Sequence, residues 1–390
     1  MTMQKVLTVF GTRPEAIKMA PVLKHLESCS GFKSEVCITA QHRQMLDQVL
    51  DIFGIKPDYD LDIMETNQDL FSVTTKVLSK LKTVVEKSKP SIVLVQGDTT
   101  TTLAASLTAF YLKAPVAHIE AGLRTYNKYS PFPEEINRHI TTIIADLHFA
   151  PTKWAEWNLL REGVPAEKIF VTGNTVVDAL HDVMNIIETP GIHHQLEERF
   201  GFLGKNKKIV LITAHRRESF GEAFKNICNA IKKLARFFPE CDFVYPVHPN
   251  PNVQKPVQNI LNQDKLPNLY LIRPMEYLSF AYLMKKTYLI LTDSGGIQEE
   301  AITFRKPVLV LRNTTERPEG VRAGAVKLVG NQEESIFREC KVLLTDSSMY
   351  NKMTNMENPY GDGKAAERIV GILWERLNRT SKTARVVMRA

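Results

Sequence analysis

The sequence predicts an α/β protein made of two successive parallel-sheet domains, and three observations carry that prediction. Short β-branched runs are apolar along their whole length instead of alternating, which is how strands buried on both faces read. Amphipathic stretches such as PEAIKMAPVLKHLES and TTLAASLTAFYLK lie between them, a rhythm that implies βαβ units with right-handed crossovers. The 390 residues exceed one ordinary hydrophobic core, and the strand and helix pattern restarts at Lys207.

In chain order, the strands of the first domain are KVLTVFG from Lys5, EVCITA from Glu35, SIVLVQGD from Ser91, APVAHIEAG from Ala114, DLHFAPT from Asp146 and KIFVTGN from Lys168. Those of the second are KKIVLITAH from Lys207, CDFVYPVHP from Cys241, NLYLIRP from Asn268, TYLILTDSGG from Thr287 and KPVLVLRNTT from Lys306. The helical TVVDALHDVMNII gives way to ETPGIHHQLEERFGFLGKN, where Pro, Gly and charge interrupt the period. This places the boundary within 190–205, giving domains at 1–195 and 196–362. A helix at about 363–380 is expected to pack back on the first domain, and 381–390 to be a frayed basic tail.

Composition excludes several function classes. With 44% hydrophobic and 24% charged residues and no low-complexity tract, the chain reads as folded. The apolar lead before Arg13 is too short for a secretory core, and no run reaches the roughly 18–20 apolar residues of a membrane span, so a soluble protein without a membrane partner is expected. Five scattered cysteines form no C-x-x-C pair, which argues against a disulfide framework or a zinc site and for the cytoplasm. The net charge of +7 is diffuse, with no block of basic residues, so no nucleic-acid partner is expected. Isolated Arg and Lys residues beside loops suit a small molecule bearing a diphosphate. No G-x-G-x-x-G or Walker loop is present, which disfavours NAD and ATP; no cofactor and no metal are expected.

Ligands of open α/β sheets bind beyond the carboxyl ends of the strands, so the residues just after each run are the informative ones. Here they are polar: Arg13 and Lys18; Gln41 to Arg43; Asp98 with four threonines; His118 and Glu120; His215 to Glu218; His248; Asp293 to Gly296. TDSGGIQEEA couples a buried strand to Ser294-Gly295-Gly296 and a helix. It fits an anion at a helix N-terminus, or equally a turn that needs glycine at positive φ. Helix capping accounts for one or two of the threonines after Asp98 but leaves Asp98 unexplained. Glu134 and Arg138 stand at i and i+4, which a surface ion pair would also explain. A lone His215 is ordinarily structural, but at a strand end before two arginines it is placed to meet an anion. GTRPEA near the start is echoed by TTERPEG near residue 314, two Arg-Pro-Glu triplets suited to open helices.

The phrases GTRPEAIKMAP, TAQHRQMLDQVL, GDTTTT, HIEAGLRT, YSPFPEEINR, HFAPT, VTGNTVVDAL, TAHRRESFG, LTDSGGIQEEA and TTERPEGV, in this order over roughly residues 5–370, resemble the bacterial non-hydrolysing UDP-N-acetylglucosamine 2-epimerases. The resemblance implies two Rossmann-like domains facing across a cleft, as in glycosyltransferase-B proteins, and a homodimer. It implies Asp98, Glu120, Glu134 and His215 as the catalytic group. Arg13 and Lys18 would line the sugar side, and Arg138 would support the carboxylates. His215, Ser294, Gly295 and Gly296 would hold the diphosphate, Glu300 the ribose, Phe280 and the backbone near Met275 the uracil, and Arg317 the phosphate or sugar. Some members bind a second, activating substrate through residues like Gln41, Gln44 and His248; an Arg-Gln pair in the associated loop is Asn67-Gln68 here, and Gln68 would stand at such a site.

The reaction so implied interconverts UDP-N-acetylglucosamine and UDP-N-acetylmannosamine for bacterial surface polysaccharide. The C2 hydrogen is not acidic, so departure of UDP must acidify it, with carboxylates stabilising an oxocarbenium-like centre and shuttling the proton. Alternatives on the same residues are a hydrolysing epimerase that releases N-acetylmannosamine, an epimerase for a diacetamido sugar, a glycosyltransferase of the same fold, and a non-enzymatic sensor of nucleotide sugars.

Overall fold

The computed structural model describes residues 3–40, 43–65, 68–216 and 219–387, with side chains up to residue 378. The chain forms two compact units, residues 1–179 with 360–390 and residues 180–359.

Unit one runs β1 (Gln4–Phe10), α1 (Arg13–Ser28), β2 (Phe32–Ile38), α2 (Arg43–Phe53), β3 (Tyr59–Asp60), α3 (Leu70–Ser88), β4 (Ile92–Gln96), α4 (Thr100–Tyr111), β5 (Val116–Ile119), α5 (Glu134–Ile144), β6 (Leu147–Ala150), α6 (Lys153–Arg161) and β7 (Ile169–Val171), then enters α7 (Thr175–Ile187). Its parallel sheet has the order β3-β2-β1-β4-β5-β6-β7. Side chains such as Leu7, Val9, Val93 and Val95 are wholly buried in the core beneath α3 and α4. This is the environment that continuous apolar strands anticipate.

Unit two contains α8 (Pro190–Arg199), β8 (Lys208–Thr213), α9 (Glu222–Phe237), β9 (Cys241–Pro246), α10 (Pro251–Pro256), β10 (Leu269–Ile272), α11 (Tyr277–Lys286), β11 (Leu289–Thr292), α12 (Gly295–Thr303), β12 (Val308–Val310), α13 (Pro318–Arg322), β13 (Val326–Leu328), α14 (Glu333–Thr345) and α15 (Ser347–Thr354). Its parallel sheet reads β10-β9-β8-β11-β12-β13. Both sheets therefore have the doubly wound order of a Rossmann-like domain, with the reversal at β1/β4 in one and β8/β11 in the other. Among the described residues, no helix is long and apolar enough to cross a membrane.

Three expectations need correcting. The division falls inside α7, at 179/180, and not at 195/196. The Pro and Gly taken as a linker signal open a helix instead, Pro190 standing in its first turn after Thr189. That helix belongs with unit two: Phe200 stacks on Tyr282 at 5.6 Å, and Arg199 Nη1 donates to Ser279 Oγ at 2.9 Å. The segment expected to fray from residue 381 is helical to Val387, as the end of α16 (Ala365–Val387). Asp178 receives the backbone N–H groups of Ala365 and Ala366, and Trp374 packs edge-on against Phe32 at 5.5 Å, which ties α16 to unit one. Finally, the edge strands β3 and β13, of two and three residues, went unseen because neither is long enough to show a periodicity.

Candidate active site

At the switch point of unit one, the β1 turn is fastened to the β4 turn by the glutamate of the first Arg-Pro-Glu triplet, which forms the helix-opening capping box with Thr12 that the sequence suggested and also reaches across to the end of β4. Glu15, in the first turn of α1, accepts from the backbone N–H groups of Gly11 (3.1 Å) and Thr12 (2.8 Å) through one oxygen. Through the other it accepts from the hydroxyls of Thr99 (2.8 Å) and Thr102 (3.2 Å). Burial raises its pKa, against the pull of these donors. Two of the threonines are thus explained twice over: Thr99 caps α4 through the N–H of Thr102, and both serve Glu15. Arg13 opens α1 at the rim of this turn and is half-buried.

Gly97, with φ of 74°, turns the chain out of β4 and delivers Asp98. Asp98 Oδ2 accepts from Arg138 through both Nε (3.1 Å) and Nη2, and its carbonyl from Asn137 Nδ2 at 2.9 Å. Arg138 is buried, which rules out the surface-pair reading, and its Nη1 donates to Glu135 Oε2 at 3.0 Å. Glu135, 1% exposed, also receives the N–H groups of Thr125 and Tyr126. A carboxylate three residues before a buried arginine was the available signal for Glu135. Glu134 is the first residue of α5 and half-buried.

Glu120 follows β5 with a left-handed backbone, φ 64°, unusual for a glutamate. Its Oε2 accepts from Lys18 Nζ at 2.7 Å and from Gln96 Nε2, and both ionic partners are nearly sequestered from solvent. A pair of this kind costs desolvation that its attraction only partly offsets, so it is weak evidence for stability and better evidence for use.

In unit two, His215 and Asp293 follow the adjacent central strands β8 and β11. Asp293 Oδ2 receives the backbone N–H groups of His215 (2.7 Å) and Arg216 (2.8 Å). The His215 ring stacks on His248, centroids 5.1 Å apart. Ser294 stands at the N-cap position of α12 without a side-chain capping bond, and Gly295 and Gly296 are its first helical residues, so the alternative of a positive-φ turn is set aside. A Cβ on Gly295 would meet Arg317 Nη1 at 2.4 Å and Glu316 Oε1 at 2.7 Å, whereas one on Gly296 would meet open space. The helix start is thereby braced on one side and accessible on the other, with its N–H groups available to an anion.

Arg317 is the brace. Its Nε donates to Glu299 at 2.6 Å and its Nη1 to Glu316 at 2.6 Å, while Arg312 donates to the other Glu316 oxygen at 3.1 Å. Burial pushes the Glu316 carboxyl up, but Arg317 and Arg312 outweigh it and hold the group down at about 2. Glu299 and Glu316 were absent from the sequence reading; Glu316 beside an arginine in a strand-end loop was its only trace. Arg-Pro-Glu does open helices in both units, α1 and α13. Glu300 accepts from the Tyr277 hydroxyl at 3.3 Å, joining α12 to α11, which carries the half-buried Phe280; Met275, also half-buried, lies between β10 and α11. Gln44 is exposed on α2, Gln68 Oε1 accepts from the Glu65 N–H at 3.3 Å, and Gln41 and Asn67 lie outside the described residues.

Buried carboxylates paired with cations at the unit-one switch point, and a helix start able to meet an anion at the unit-two switch point, mark a doubly wound α/β protein with charged candidate sites at its strand ends. Residues 24–374 match the model of the UDP-N-acetylglucosamine 2-epimerase family. The chain is 56% identical over 369 residues to the UDP-N-acetylglucosamine 2-epimerase of Neisseria meningitidis serogroup A, covering 95% of this chain and 99% of that protein. A crystal structure of the Neisseria meningitidis UDP-GlcNAc 2-epimerase bound to UDP-GlcNAc superposes with a TM-score of 0.92 at 56% identity, covering 95% and 100% of the two chains. The Methanocaldococcus jannaschii UDP-GlcNAc 2-epimerase in complex with UDP-GlcNAc and UDP gives 0.82 at 37% identity, covering 95% and 100%. The chain belongs to the UDP-N-acetylglucosamine 2-epimerase family.

Proposed function

We propose that the protein inverts carbon 2 of UDP-N-acetylglucosamine, reversibly, to give UDP-N-acetylmannosamine without net hydrolysis. The observation that carries this reading is the pair of carboxylates at the unit-one switch point, Asp98 and Glu120, each oriented by a buried cation, Arg138 and Lys18 respectively. Two such groups suit a reaction that removes a proton from one face of a carbon and returns it to the other.

The C1–O bond breaks and its electron pair leaves with UDP; the oxocarbenium-like centre that forms acidifies the C2 hydrogen, which a carboxylate takes up. The C1–C2 double bond closes the electron balance, leaving 2-acetamidoglucal. Protonation of C2 from the opposite face and re-addition of the UDP oxygen at C1 complete the cycle. Asp98, Glu120 and Glu134 serve the cation and the proton, with Arg13 and Lys18 on the sugar side and Arg138 fixing Asp98. His215 and the Ser294-Gly295-Gly296 helix start stabilise the departing diphosphate, an electrostatic task for preset donors. Arg317 acts by holding that start in place. Glu300 takes the ribose, and Phe280 with the backbone near Met275 the uracil. Gln44, Gln68 and His248 are assigned to sensing a second nucleotide sugar. The compartment is the cytoplasm, and the product feeds surface polysaccharide.

We further propose a homodimer. Helices α3, α4 and α5 leave Phe71, Phe110, Tyr111 and Ile143 exposed, Phe71 by 83% and Ile143 by 84%, an apolar display suited to burial against a second copy.

The reaction is tested by incubating the protein with UDP-N-acetylglucosamine in heavy water and following the sugar by NMR. Deuterium should enter at carbon 2 alone as UDP-N-acetylmannosamine rises to equilibrium. Absence of exchange at that carbon defeats the reading, and accumulation of free N-acetylmannosamine would make the enzyme a hydrolase.

A further inference from the structure

Asp293 is wholly buried at the end of β11, beside the end of β8 that carries His215. The two strands are locked in register by the Thr213–Thr292 hydroxyl contact at 2.7 Å and by the Asp293 N–H donating to the Thr213 carbonyl at 3.0 Å. One carboxylate oxygen is fully committed, because Oδ2 receives the N–H groups of both His215 and Arg216. The other, Oδ1, is buried and has no hydrogen-bond partner among the described residues. It lies 3.8 Å from His215 Nδ1, beyond hydrogen-bond range by about 0.6 Å.

An unpartnered buried carboxylate oxygen is costly, and such an atom in a folded protein calls for a use. Its carboxylate cannot turn away, since two backbone donors grip the other oxygen. The His215 side chain is 37% exposed and its ring stacks on His248. A shift of the ring toward β11 by about 0.6 Å would bring Nδ1 within reach of Oδ1.

We propose that Asp293 is the positioning residue for His215, accepting the Nδ1 proton on Oδ1 and so leaving Nε2 as the atom that meets the ligand. The inference rests on the reading of His215 as the group that serves the departing diphosphate. With Nδ1–H held by Asp293, Nε2 accepts when the ring is neutral and donates when the ring is charged. The adjacent carboxylate favours the charged ring as negative charge builds on the leaving oxygen. No bond to Asp293 forms or breaks; its task is to fix the tautomer and plane of the imidazole.

The test separates this role from the backbone clamp. In Asp293→Asn the amide oxygen can still receive the N–H groups of His215 and Arg216, while the NH2 group replaces Oδ1 and presents donors to Nδ1. Full-length protein labelled with 15N at histidine, with the His215 signals assigned by their loss in His215→Gln, should show neutral His215 protonated at Nδ1 in the wild type and at Nε2 in Asp293→Asn. The variant should turn over UDP-N-acetylglucosamine about 10- to 100-fold more slowly in kcat, with KM changed less than about threefold. A wild-type ring protonated at Nε2 overturns the proposal whether or not the variant folds. Unchanged tautomer and kcat in a folded Asp293→Asn overturn it as well and leave Asp293 a backbone clamp. Failure of the parent reading is distinguishable, since it appears as absent C2 exchange in the wild-type protein while the tautomer measurement stands on its own.

Discussion

Glu120 holds a left-handed backbone that costs a non-glycine residue roughly 1 kcal/mol or more, and it holds a buried charge beside Lys18 as well. Both burdens on one side chain are what the proposed role of the carboxylate would account for. Substituting Glu120→Gln keeps the shape and the Gln96 contact while removing the charge, so kcat should fall by about 100-fold or more, with Asp98→Asn and His215→Ala falling comparably. Steady-state kinetics check this, and near-wild-type turnover in all three would show the role assignments to be wrong. Glu135 makes a different prediction. It receives Arg138 and two backbone N–H groups, so Glu135→Gln should lower both kcat and the melting temperature, because Asp98 loses its orienting arginine and the 125–126 turn loses charge-assisted bonds.

At the scale of elements, β5 and β6 place His118 opposite His148 in the parallel register, both fully or almost fully buried. Nδ1 of each lacks a partner among the described residues, while His118 Nε2 bonds the Gly97 carbonyl at 2.7 Å, just ahead of Asp98. Burial depresses His118 to about 3 and His148 to about 4, from an ordinary value of 6.5. Both are therefore neutral when folded, while the unfolded chain takes up protons near pH 6.5. The sign follows: their contribution is complete above about pH 6.5 and is lost as pH falls towards 4, at up to ~1.4 kcal/mol per pH unit for each. Urea unfolding between pH 7 and 4.5 should show that loss, and His118→Gln should flatten it; parallel curves for the two proteins would contradict the account.

For the whole molecule, the exposed side chains on α3, α4 and α5 decide the prediction. If Phe110, Tyr111 and Ile143 are buried against a second copy, light scattering of the native protein should give about twice the 44.2 kDa chain mass. Ile143→Lys or Phe110→Glu should then shift it to monomer, since neither charge finds a partner in an apolar contact. A native monomer, or a dimer indifferent to both substitutions, counts against this face.

Much was legible in the sequence alone. A strand buried on both faces must be apolar throughout, so the long strands and the parallel α/β class could be read directly. Ligand chemistry gathers at strand ends, so Arg13, Asp98, Glu120, His215 and Ser294 could be nominated as candidates by position. Edge strands of two or three residues left no period to read, and Pro190 looked like a break because a helix start and a linker share their residues. Only tertiary structure decided which polar side chains meet. Glu15 reaches Thr99, Lys18 reaches Glu120, and Arg138 chooses Asp98, across separations of 84, 102 and 40 residues that local spacing does not encode. Strand order creates those encounters, and strand order is fixed by packing between segments that carry no local record of their neighbours.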